Sequence, residues 1–83
     1  MKTNDIKKGT RILLDNGWYA TMADNMRGNT RMATVEGIAT ETGSVYSHDI
    51  AYVVEDKGGK RHLTPVTHTP AQEKLKRTVE GWL

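Results

Sequence analysis

Cysteine is absent from the chain, which excludes a disulfide framework, a thiolate metal site and a thiol nucleophile. Phenylalanine is absent too, so all aromatic packing falls on Trp18, Trp82, Tyr19, Tyr46 and Tyr52. No apolar run approaches the roughly 18 residues of a membrane-spanning helix. The opening Met1-Lys2-Thr3-Asn4-Asp5 lacks the apolar stretch of a signal peptide. These absences lead us to expect a cytoplasmic protein that does not enter a membrane. With 83 residues there is room for a single domain, residues 1–83, and none for a cavity walled by two. A domain of this size hides only about 60% of the surface its unfolded chain exposes, so its core is thin.

Charge is nearly balanced, at +2, but unevenly spread. Residues 1–35 hold six basic and three acidic side chains, a net +3. Residues 36–56 hold Glu36, Glu41, Asp49, Glu55 and Asp56 with no base, a net −5. Residues 57–83 hold six basic side chains against Glu73 and Glu80, a net +4. Either these segments cancel across neighbouring strands, or the protein has a basic and an acidic face.

Five segments of strand character follow one another at the spacing of a small barrel. Thr10 to Leu14 is the first, and Asn16-Gly17 after it predicts a two-residue type I′ hairpin, in which both central residues take positive φ. Trp18 to Ala23 alternates, with Trp18, Ala20 and Met22 on the side expected to face the core. The third strand, Arg31 to Ala39, carries Gly37 as a bulge or bend, and Glu41-Thr42-Gly43 is read as the turn beyond it. The fourth runs from Val45 to Val54, interrupted at Ser47-His48-Asp49 by a bulge or a single helical turn. Lys57-Gly58-Gly59-Lys60 is a hairpin turn, and Arg61 to Thr67 the last strand, which lies at an edge or ends at Pro65, because proline cannot donate to a ladder.

From Thr69 the period changes. Thr69, Pro70 and Gln72 form a capping-box signature that predicts a helix over about 70–81. Ala71, Leu75, Val79 and Trp82 then make one apolar stripe, expected to pack across the barrel, and Glu73 and Arg77 a weak solvated pair. The fold class expected is mainly β: a small five-stranded SH3-like barrel or curled antiparallel sheet over about 6–67, with one C-terminal α-helix.

Catalytic arrangements are hard to find. Ser47-His48-Asp49 has the residue types of a triad, but neighbours on an extended strand point to opposite faces, and a triad is assembled in space. About 20 Å of extended chain separates His62 from His68, too far for one metal ion. Gly58-Gly59-Lys60 lacks both the first glycine and the Ser or Thr of a phosphate-binding loop. Glu55 and Asp56 adjoin a turn and do not oppose each other across a cleft. We therefore expect no catalytic residue, no metal and no cofactor.

Binding chemistry is left. Arg27, Asn29 and Arg31 sit in one loop segment around Gly28, where guanidinium groups and an amide are placed to meet a phosphate chain or a polar partner. Lys60 and Arg61 follow a turn, and Tyr19 is the tyrosine that strand parity puts nearest them. Together these six are the candidate contact residues.

The lead-in Asp5-Ile6-Lys7-Lys8-Gly9-Thr10-Arg11-Ile12-Leu13-Leu14, followed by Asn16-Gly17, resembles the opening of SH3-like small barrels, including domains with a KOW motif. The glycine and aromatic spacing of the KOW element itself is missing, so its nucleic-acid contacts do not carry over. Residues 25–31 and 43–50 are similar in style to short accessory proteins of tailed bacteriophages. That resemblance implies a small accessory factor or inhibitor acting on a host protein. The expected function is thus a non-enzymatic module that binds a host or phage protein, with homo-oligomerisation left open. The alternative is a small barrel that binds nucleic acid through its basic loop and surface aromatics.

Overall fold

The computed structural model describes residues 1–25 and 27–81, and only the backbone of 79–81. Its frame is one antiparallel sheet of six strands: β1 (Arg11–Leu14), β2 (Tyr19–Met22), β3 (Thr30–Glu36), β4 (Thr40–Tyr46), β5 (Ile50–Lys57) and β6 (Lys60–Pro65). A single helix, α1 (Pro70–Gly81), follows, and short 3-10 turns lie at Thr3–Asp5 and Ser47–Asp49. The spatial order is β4-β3-β2-β1-β5-β6. Four strands meander, and after the second 3-10 turn the chain returns to pair β5 with the far side of β1.

Of the two forms expected, the sheet is the open one, and it has six strands instead of five. The extra strand comes from a turn placed differently from the sequence reading. Residues 31–39 do not run as one strand: β3 ends at Glu36, and Glu41-Thr42-Gly43, expected as a turn, lies inside β4. Gly37 is accordingly part of the β3–β4 connection and not a bulge. The Trp18 ring lies on it so closely that an added Cβ would stand 2.6 Å from the indole.

The hairpin turns also exchange types. Gly17 N donates to Leu14 O and Leu14 N to Trp18 O, and of the turn residues only Gly17 has positive φ, at 88°. That is a three-residue loop closed by a left-handed glycine, not the type I′ turn expected there. The β5–β6 turn has both Gly58 and Gly59 at positive φ and so is the type I′ connection.

Alternation along the strands separates two faces. Ile12, Leu14, Ala20, Met22, Ala33 and Val53 turn to the covered face, where Ile6 and Ile50 complete the core. Trp18, expected on this face as well, lies at its margin over Gly37 and is about half exposed, not part of the core. The N-terminal segment crosses this face and is tied to the other end of the chain: Thr3 N donates to Thr67 O, and Thr67 N to Met1 O.

The capping box forms as spaced, with Thr69 N donating to Gln72 Oε1 and Gln72 N to Thr69 Oγ1. At the start of the stripe Ala71 is exposed, and the buried side chain of the first turn is Gln72. Its amide donates to Gly28 O, and Lys76 pairs with Asp15 at 2.9 Å. Leu75 is half-buried; the Val79 side chain and Trp82 lie outside the described residues.

Candidate functional site: the open sheet face

On the opposite face Met32, Tyr46, Tyr52 and Leu63 are large hydrophobic side chains left exposed. By register this face presents Leu13, Tyr19, Glu36 and Tyr52 in one row, and Arg11, Thr21, Thr34, Val54 and Leu63 in the next. Two strands stand between β2 and β6, so a flat sheet would put their axes about 14 Å apart. Even so, Arg61 Nη1 donates to the Tyr19 hydroxyl at 2.7 Å. The sheet therefore curls toward its open face, which also explains why Val54 is buried although it lies outside the core cluster.

Tyr19 is held by two guanidinium groups, Arg11 at 4.9 Å and Arg61 at 5.0 Å from the ring centre. Arg11 Nη2 bonds Glu36 at 2.7 Å, and Arg61 Nε lies 3.8 Å from Asp56. Each such contact contributes at most about 1 kcal/mol at an exposed position, so the cluster's main effect is to fix the ring's orientation. The cluster is also electrically neutral, two cations beside two carboxylates. Beside it Tyr52 and Leu63 are 37% and 44% exposed.

Three carboxylates of the acidic block meet bases, in Arg11–Glu36, Lys57–Glu55 and Arg61–Asp56, and of these only Arg61–Asp56 joins strands that are neighbours in the sheet.

Of the six candidate residues, Tyr19 and Arg61 are brought together and the others are not. Arg31 must be corrected outright: it is 1% exposed, with Nη1 on Thr3 O at 2.9 Å and Nη2 on Ile6 O at 2.8 Å. Buried against two carbonyls of the N-terminal segment, the guanidinium is out of reach of a ligand. Arg27 and Asn29 are exposed in the β2–β3 loop, which opens toward the same end of the sheet as the β5–β6 turn, because β2 and β5 run in the same direction. Lys60 and Arg61 are neighbours on β6 and so point to opposite faces. Gly28 and Asn29 in the basic loop are tied to the rest of the fold through their backbones. Gly28 N donates to Asn4, Gly28 O accepts from Ser47 Oγ and Gln72, and Asn29 O accepts from Ser47 N.

Ser47-His48-Asp49 forms the helical turn that was one of its two expected shapes. Ser47 and His48 are both buried, and the serine hydroxyl donates away from the imidazole, to Gly28 O. His48 Nε2 lies 3.5 Å from Asp49, and its ring stacks on Tyr46 at 5.1 Å.

Sequence reasoning missed Arg11, Tyr52 and Leu63. Arg11 and Leu13 share a parity, which was a readable sign that β1 has a second face. That β5 would lie beside it is a nonlocal pairing no local pattern carries. No helix of the described residues is long and apolar enough to cross a membrane. The chain matches no family model, no curated protein and no solved structure.

Proposed function

We propose that this chain is a non-enzymatic protein-binding module whose open sheet face docks a host or phage protein. The observation that carries the reading is the composition of that face: Tyr, Arg, Leu and Thr side chains, large apolar groups among them left exposed, with the charges already paired. Tyrosine and arginine in an apolar setting are the residues that dominate protein interfaces. A surface built to hold a phosphate chain needs excess positive charge, and here every cation of the cluster stands beside a carboxylate. Two guanidinium groups on Tyr19 also occupy the ring that a base would need for stacking.

The test compares affinity capture from lysate with and without nuclease, using the parent and the double variant Tyr52→Ala, Leu63→Ala. A protein partner that survives nuclease and is lost, by at least about tenfold in affinity, with the double variant supports the reading. Binding of labelled oligonucleotides that weakens with salt at a log–log slope of roughly −3 to −4 would replace it with the nucleic-acid alternative.

A further inference from the structure

The two edges of the sheet are finished differently. β6 carries Lys60 and Arg61 and ends on Pro65, the devices by which edge strands resist further pairing. β4 has seven residues, Thr-Glu-Thr-Gly-Ser-Val-Tyr, with no Lys, Arg or Pro among them. Its hydrogen-bond phase follows from two bonds at its ends. Ser47 N donates to Asn29 O and Gly37 N to Ala39 O, and both pairs continue the β3–β4 register. Pairs alternate between bonded and non-bonded in an antiparallel ladder, so Glu41, Gly43 and Val45 bond to β3. The amides and carbonyls of Thr42, Ser44 and Tyr46 point outward, and among the described residues no strand pairs with that side.

Beside this edge, on the covered face, lies a cleft of about 340 Å³ walled by Leu14, Trp18, Val35 and Val45, with Asp15 and Asp49 on its rim. Register puts Gly43 on the same face as Val45 and Val35, and a Cβ added there would meet nothing within 4 Å. The strand thus borders a hollow large enough for one bulky apolar side chain. Glu41 shares this face and makes no ion pair among the described residues, whereas Asp15 is paired with Lys76 and the buried Arg31 with Asp24.

We propose that the free edge of β4 takes an extended peptide by strand addition, its central apolar side chain seated in the cleft and Lys or Arg two residues to either side. Main-chain bonds to Thr42, Ser44 and Tyr46 supply affinity, and the cleft with its acidic surround supplies selectivity. The occupant follows from charge complementarity: a basic strand suits Glu41 and Asp49, whereas a second β4 would bring only further Glu41. This surface is separate from the Tyr19–Leu63 face, and the proposal stands or falls independently of the function assigned to that face.

The probe is a fluorescein-labelled heptapeptide, Thr-Lys-Thr-Leu-Thr-Lys-Thr, in which Lys and Leu share one face of a strand. Saturable binding is expected, with slowed amide exchange at Thr42, Ser44 and Tyr46. Replacing both Lys by Glu should weaken binding at least tenfold. N-methylation of one alternate set of peptide amides should abolish it while the other set is tolerated, because only one set faces β4. Gly43→Leu, at a position with ordinary φ and open space, should fill the cleft and weaken binding at least tenfold without lowering the melting temperature. Tyr52→Ala with Leu63→Ala should leave heptapeptide binding intact. Equal tolerance of both N-methylated sets, perturbations confined to the Tyr52–Leu63 face, or absence of binding would overturn the proposal. So would protection of the β4 amides that rises with protein concentration alone, since a second copy would then hold the edge.

Discussion

Arg31 shows how one side chain can decide the use of a whole loop. Its neighbours in sequence are polar and its loop is basic, yet the guanidinium is turned inward, with its two terminal nitrogens closing Thr3 O and Ile6 O and its Nε 3.7 Å from Asp24. The two carbonyls are met by separate nitrogens of one planar fork, a geometry that lysine's single nitrogen does not reproduce. Arg31→Met would leave Ile6 O without the donor Arg31 supplies and Thr3 O with Ile6 N alone, and would remove a cation from beside Asp24. We expect a loss of about 2 to 4 kcal/mol, seen as a lower urea midpoint, and a similar though smaller loss for Arg31→Lys. An unchanged midpoint in both variants would mean the side chain is solvated and free for a ligand after all. Arg61, by contrast, is half-exposed with partners at the surface, and its removal bears on recognition more than on stability.

At the scale of elements, turns and caps were read better than strand ends. Thr69 and Gln72 cap α1 as their spacing implies, because a capping box involves only four consecutive residues and their own backbone. The β1–β2 hairpin was located but given the wrong turn type: an Asn-Gly pair suits either a two-residue loop or the end of a three-residue one, and the bond from Gly17 N to Leu14 O selects the second. Gly17 at φ 88° remains the point of strain for any side chain. Gly17→Val should cost at least about 1 kcal/mol, and amides from Ile12 to Met22 should exchange faster before the rest of the sheet opens. Equal protection in variant and parent would show that the turn can relax to negative φ. The third and fourth strands were misdivided for a related reason: Thr, Glu and Ser at 40–44 have no apolar alternation, since β4 is an edge strand with most of its side chains exposed.

For the whole molecule, the ends of the chain are part of the fold. Lys2 pairs in parallel with Thr67, Thr3 is bonded to the same residue through main chain and hydroxyl, and Ile6 belongs to the core. Removing residues 1–5 takes away one of the two carbonyls on Arg31 and the whole bridge to Thr67. The shortened protein should be less stable by about 3 kcal/mol while still unfolding in one transition. A truncated chain as stable as the parent would make the segment an appendage.

What the sequence determined by itself was the local and the periodic: a mainly β domain, the Gly58-Gly59 and Asn16-Gly17 reversals, a last strand limited by Pro65, a capped helix over 70–81, and the apolar alternation that places Ala20 and Met22 inside. Each rests on φ preferences, on a missing amide hydrogen, or on side-chain parity, all of which act within a few residues. Only the tertiary structure decided which strands are neighbours, and with that everything about the surfaces. The return of β5 to β1 puts Val54 beside Arg11. The curl of the sheet carries Arg61 to Tyr19, and the packing of the N-terminal segment draws Arg31 inward. These outcomes depend on contacts between residues tens of positions apart, whose free energies are set by the burial of the assembled sheet, and no window of sequence contains them.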